Sequence, residues 1–527
     1  MDALFLPLAN AVGASVDQIK LISCLLVAYP LASLFVRIPS SQPALRHLFS
    51  IFVAVLFFFP VLQIYSAFFQ LLGSILATYF VAKYDKSSRM PWVVFVIVMG
   101  HLTVNHVIRA VYGFSYETME VTGPQMVLTM KLTTFAWNVY DGRRKEEELD
   151  KWQLSKRITQ YPSLLEFLGY SFYFPGILVG PYLDYPEYME LINETMFQHA
   201  HVKATLKEGR RLPPGRKRAA YTKMFMGLVY LGAFVLLGPK YNFSIALKPG
   251  FTKMPLWKRI ALFQLGGPIE RAKYYAIWTL TEGASVLTGL GFTDFGVHGK
   301  PNWDGAANVK VWTIEFPSNF KVLLDAWNMK TNVWLRECVY KRVTPKGKKP
   351  GNLSSMITFF TSAFWHGIAS GYYLTFLMGG FITAAARQAR ANFRPLLVPP
   401  TTTNSPPPPP TLIKRLYDIS SITLSAMILN YSASPFIILS GRNSITTWKA
   451  LGWYGHIIIM GSLVFFYAGG TAFFRGLQKK RGVLPPPRGG AKKPAENGNG
   501  SASGSGTPVS EKNFVLPPSV DRFVPSQ

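Results

Sequence analysis

Apolar residues in this chain gather in blocks about as long as a bilayer is thick, rather than recurring at the spacing of a half-buried helix. The first block runs from Ile19 to Val36 and the next from His47 to Val81, where Pro60 predicts either a division into two helices or a kinked pair. Pro91 to Ile108 follows and carries His101, Asn105 and His106; His101 and Asn105, at i, i+4, read as a buried polar contact lining a cavity rather than a metal pair, for which no third ligand is evident. Thr122 to Arg143 holds Lys131 inside an apolar run. Leu164 to Leu183 contains Pro175, Gly176, Gly180 and Pro181; at membrane depth these predict a broken or re-entrant segment beside a site. Further spans are expected at Met224 to Leu237, within Leu256 to Leu290, and near Ile419 to Leu439 and Trp453 to Phe473. The total is about eleven membrane segments, some broken, in an all-α polytopic membrane protein.

Polar stretches mark the connections. Lys203 to Lys223 reads as a basic, proline-containing loop, and Asn302 to Phe316 as a polar and aromatic surface segment. Ala391 to Leu412 contains five consecutive prolines, which favour extended chain. The pattern divides the chain into a membrane domain, 1–476, and a tail, 477–527, rich in Lys, Arg, Pro, Gly and Ser. That composition buries too little apolar surface to fold, so the tail is expected to be disordered. Composition agrees with the class, since 49% of the 527 residues are hydrophobic. The net charge of +28 comes from 55 Lys and Arg against 27 Asp and Glu. In a soluble protein it would suggest nucleic acid, but no nucleic-acid motif is present, and basic cytoplasmic loops account for it here. Two cysteines, Cys24 and Cys338, build neither a disulfide framework nor a metal motif.

The chain's candidate chemistry centres on Ser354 to Phe376, SSMITFFTSAFWHGIASGYYLTF. Read as one helix, this stretch puts Ser362, Ser370 and Tyr373 on the face of its single ionisable residue, His366. An ionisable group at membrane depth faces protein or a water-filled cavity and defaults to function. Just upstream, DAWNMKTNVWLRECVYKR (Asp325 to Arg342) reads as an amphipathic helix with Asn328 and Asn332 at i, i+4, and Thr331 and Leu335 extending the same face. A short basic loop joins the two helices, so Asn328 can approach His366. A buried imidazole beside an amide suits acyl transfer to a hydroxyl. The imidazole takes the alcohol's proton as general base, and the amide orients a substrate or donates to the oxyanion. No serine-nucleophile motif is present, so transfer is expected to be direct.

These residues also carry a resemblance. WNMKTNVWLRECVYKR followed by FFTSAFWHGIASGYY resembles the signature pair of the membrane-bound O-acyltransferases. GPQMVLTMKLTTFAWNVYDG and YSFYFPGILVGPYLDYPEY resemble motifs of its lysophospholipid acyltransferase branch, with the order of its fungal members. The resemblance implies helices around an intramembrane tunnel, acyl-CoA entering from the cytosol as co-substrate with no bound cofactor, and lysophospholipid entering from the membrane. It implies His366 and Asn328 as the catalytic pair, and an endoplasmic reticulum location. Trp327, Asn332, Trp334, Ser362, Trp365, Ser370 and Tyr373 are candidates for the tunnel wall. The Lys341 to Lys349 run suits either CoA phosphates or a positive-inside anchor. Two other readings stand beside the leading one. An acyltransferase could use a sterol, diacylglycerol or protein acceptor instead, and a transporter would also explain intramembrane His, Gly and Pro.

Overall fold

A computed structural model describes residues 1–115, 118–198, 211–296, 299–344, 351–397 and 411–483. Among them, seven helices are long and apolar enough to cross a membrane: Val16–Phe35, Pro43–Val61, Tyr65–Tyr84, Met90–Val111, Arg216–Leu237, Leu412–Ile438 and Tyr454–Lys480. Their lipid-facing sides keep large apolar side chains exposed, such as Phe52, Phe69, Val96 and Leu236. Pro60 does part its block, where a widened turn over Phe57–Val61 ends one helix before the next begins at Tyr65.

Further helices fall short of that standard by length or polarity: Thr122–Asp141, Leu256–Thr288, Asn352–His366 and Ser370–Leu397. Thr122–Asp141 can be polar because nearly every residue of it is buried in protein. Leu256–Thr288 packs along Arg216–Leu237 at close range, where a Cβ on Gly227 would lie 2.7 Å from Leu280 Cγ. On another face, Tyr29 reaches it from the N-terminal region, and its hydroxyl donates to the Leu280 carbonyl at 2.8 Å.

Several expectations change. Arg216 to Lys223 is helical rather than loop, because Lys223 finds a carboxylate, Glu282, at 2.8 Å on the neighbouring helix. The rest of that basic stretch to 210, the proline run at 398–410, the loop at 345–350 and the tail from 484 lie outside the described residues. Before the tail, the helix Thr471–Lys480 is anchored by Gln478, which is buried and donates to the Ala391 and Asn392 carbonyls.

Leu164 to Leu183 is broken as its prolines and glycines predict: a helix over Leu164–Ser171, then turns. It is wrapped in core side chains and does not line the cavity at which His366 sits. Lys131 closes the break, its ammonium donating to the carbonyls of Tyr170 and Ser171, the latter at 3.1 Å. A buried lysine thus satisfies the orphaned carbonyls of a helix end.

The segment expected at the surface, Asn302 to Phe316, instead sends Trp303, Ala306, Ala307, Asn308 and Val309 into the interior. Its main chain pairs with the stretch before Asn328, Lys310 N donating to the Ala326 carbonyl at 3.0 Å.

Candidate active site

Neither of the two key segments is a continuous helix. The first helix ends at Ala326, and Asn328 sits in the left-handed region at φ 45°, ψ 52°. Asparagine tolerates that conformation better than most residues. A new helix runs Met329–Trp334 and widens to an i→i+5 turn over Leu335–Tyr340. Asn328 and Asn332 therefore do not share one helical face. Asn332 turns back, and its amide donates to the carbonyls of Leu324 at 2.9 Å and Trp327 at 2.8 Å. It caps the helix that the break leaves open.

The second segment breaks after His366. Asn352–His366 ends there, and Gly367 takes φ 133°, ψ −169°, a conformation open essentially to glycine alone. A Cβ on Gly367 would also lie 3.3 Å from His106 Nδ1. His106 holds this end in place by donating from Nε2 to the Trp365 carbonyl at 3.2 Å. The break removes the expected stripe through Ser370 and Tyr373. Ser370 instead accepts from Gly441 N at 2.8 Å, and Tyr373 packs on Phe360.

The two breaks meet at one cavity. Its lining includes His366, Ser362 and Thr358 from one side, and Asn328, Thr331, Asn332 and Trp327 from the other. Of the sequence candidates, Trp334, Trp365, Ser370 and Tyr373 do not line it. Trp334 is fully buried with its indole donating to Thr133, and Trp365 donates to the Met126 carbonyl. Both are used as packing posts behind the site.

The His366 ring is boxed by aromatics, with Phe436 edge-on at 4.8 Å and Tyr372 and Phe376 each at 5.5 Å between ring centroids. Among the described residues the imidazole makes no hydrogen bond, so its nitrogens are free for a ligand. Asn328 has its carbonyl oxygen engaged by Asn308 and Thr331, and its amide nitrogen has no protein partner among the described residues. A base and a hydrogen-bond donor thus share an apolar cavity.

Two charged wall residues, Glu270 and Arg271, are not among the site candidates drawn from the sequence. The Arg271 guanidinium donates to both Glu315 oxygens, at 2.9 and 2.6 Å, and to Asn430 Oδ1 at 2.6 Å. An acid–base pair in an apolar run was the available signal. Other polar candidates are occupied elsewhere. His101 contacts Ser74 and Gln70, while Asn105 donates to Gln125, and neither residue lines the cavity. Cys338 is buried against Thr134. Lys341 is held by Glu337 at 2.7 Å and Asp150 at 2.8 Å, and Arg342 donates to Asp141 at 2.8 Å. Both cations at the start of the basic run are therefore committed within the protein.

Comparison with known proteins matches residues 108–434 to the family described as MBOAT, membrane-bound O-acyltransferase family. A lysophospholipid acyltransferase of Schizosaccharomyces pombe is 38% identical over 88% of this chain and 89% of its own length. The Saccharomyces cerevisiae protein of the same name is 36% identical, over 91% of this chain and 79% of its own. Membrane-bound glycerophospholipid O-acyltransferase 2 of Homo sapiens is 31% identical over 88% of this chain and 87% of its own.

Proposed function

Because the chain belongs to the membrane-bound O-acyltransferase family and is a multi-pass membrane protein, we propose that it moves a fatty acyl group from acyl-CoA to the free sn-2 hydroxyl of a lysophospholipid. The observation that carries the reading is one apolar cavity presenting the imidazole of His366, which makes no hydrogen bond among the described residues, and the Asn328 carboxamide. The relatives' names supply the acceptor class. Phospholipid remodelling in the endoplasmic reticulum membrane is the setting this activity fits.

In this reading the acceptor hydroxyl gives its proton to a free nitrogen of His366 as its oxygen attacks the thioester carbonyl. An O–C bond forms, and the carbonyl oxygen gathers negative charge. The Asn328 amide N–H donates to that oxygen, in a cavity where few other dipoles compete. The C–S bond then breaks, and the departing CoA sulfur takes the proton back from His366, leaving free CoA and a diacyl phospholipid. Ser362, Thr358 and Trp327 shape the wall. Asn332, with its amide hydrogens committed to helix carbonyls, positions rather than reacts.

The test is an acyl-transfer assay on microsomes and on purified protein, with lysolipids of several head groups against sterol and diacylglycerol acceptors. Acyl transfer to lysolipids alone supports the reading. Transfer to sterol or diacylglycerol in preference, or no transfer by folded protein, defeats it.

A further inference from the structure

We propose that Asn308 is a positioning residue that fixes which way round the Asn328 carboxamide stands, so that the amide hydrogens and not the oxygen face the cavity. This rests on the reading of Asn328 as a hydrogen-bond donor to the reacting carbonyl. The chain of contacts begins at a main-chain group whose chemistry is fixed. The Lys330 N–H donates to the side-chain oxygen of Asn308 at 3.0 Å. A backbone N–H can only donate, so that atom of Asn308 is its oxygen and the other is its nitrogen. The nitrogen lies 3.1 Å from a side-chain atom of Asn328, which must accept and is therefore the Asn328 oxygen. The Thr331 hydroxyl lies 2.8 Å from the same oxygen and donates to it; its other acceptor, Met130 Sδ at 3.3 Å, is a weak one. With two donors on its two lone pairs, the Asn328 oxygen is filled. Its NH₂ has no protein partner among the described residues, and Asn328 lines the cavity.

Asn308 also holds the backbone of the break. Its main-chain carbonyl accepts from Met329 N at 2.9 Å, so one buried residue grips 328, 329 and 330 together. That grip spans the residue held at positive φ. A rotation of the Asn328 amide by half a turn would change no volume and barely any packing. It would set an oxygen lone pair against the oxyanion in place of a donor.

Asn308→Asp separates positioning from support. The aspartate keeps the shape and the acceptor for Lys330 N–H but turns the donor facing Asn328 into an acceptor, which drives the Asn328 amide over. Asn308→Ala removes all of these side-chain contacts but leaves Thr331 to hold the correct orientation. In the full chain, extracted and monodisperse, kcat should fall about 10²-fold for Asn308→Asp, the scale of a lost oxyanion donor. It should fall about tenfold for Asn308→Ala, with KM for both substrates within about twofold in each. A merely structural post predicts the reverse order, so an Asn308→Asp rate that matches or exceeds that of Asn308→Ala overturns the proposal, as does a loss that falls on KM. If Asn308→Asp does not fold, a Thr331→Val background decides, because Asn308 is then the one side chain holding the Asn328 oxygen among the described residues. Asn308→Ala made in that background should lower kcat at least about tenfold further; an unchanged rate overturns the proposal. Asn328→Gly with undiminished kcat would instead remove the reading beneath it, whatever Asn308 does.

Discussion

At the scale of single residues, His366 and Asn328 differ in what a mutation removes. His366 has no hydrogen bond among the described residues, so His366→Ala takes away a ring's packing against Phe436 and its proton-accepting nitrogen. A general base is worth roughly 10²–10⁴ in rate. Rates at saturating substrates, with melting temperature measured alongside, should show kcat falling by that factor in folded protein. Asn328 has two reasons to be asparagine, its φ of 45° and its amide. Asn328→Gly keeps the backbone comfortable and deletes the side chain. We expect kcat to drop roughly 10²–10³-fold with KM unchanged; a glycine variant of near-normal rate would mean the residue is there for its backbone. Asn332→Ala should behave oppositely, lowering stability by about 1–3 kcal/mol through two uncapped carbonyls while sparing kcat in the protein that folds.

At the scale of elements, the site is made by endings. Helices that stop at Ala326 and at His366 place two side chains at a cavity that a pair of uninterrupted helices would hide. The clearest lever is Gly367. Gly367→Ala forces a side chain into a backbone region that costs about 1–3 kcal/mol and brings it against His106. Both the melting temperature and kcat should fall, since the same turn carries the His366 ring. An unchanged melting curve and rate would show that the turn relaxes freely. The apolar runs and the existence of His366 as a functional candidate were legible in the sequence, because membrane-length blocks and an isolated ionisable group are strong local signals. The breaks were not, and the reason is physical. Asn328 and Gly367 leave the helical conformation because of partners distant in sequence, Asn308 and His106, and no local pattern announces them. The tryptophans misled for a related reason. Trp334 and Trp365 share the polar stretch of the site residues, but their indole N–H groups point away, to Thr133 and Met126. Asn308 itself escaped notice because its segment has the composition of a surface loop and the burial of a core one.

At the scale of the whole molecule, the described helices continue beyond the last apolar run. Gln478 ties the final helix to the main-chain carbonyls of Ala391 and Asn392, and Arg481 reaches Leu396. Truncation after Gly482 should therefore leave specific activity within about twofold, because the residues past that point have the composition of a chain that does not fold. Removal from Thr471 should lower yield and melting temperature. The check is activity per folded molecule, and a large loss on the shorter deletion would assign the tail a part in catalysis. The buried charges of the bundle also bear on how it is made. Lys131 donates to carbonyls 39 and 40 residues further along, while Arg271 bonds to Glu315, 44 residues ahead, and Asn430, 159 ahead. A ribosome adding ~5–20 residues per second delivers the first partner about 2–8 s late and the last up to about 30 s late. For that interval each charged helix faces lipid that offers its side chain nothing. Such helices are expected to wait beside the translocon, or at the lipid interface, until their acceptors emerge. Biogenesis of this protein is then set less by hydropathy than by the order in which its charges meet their mates.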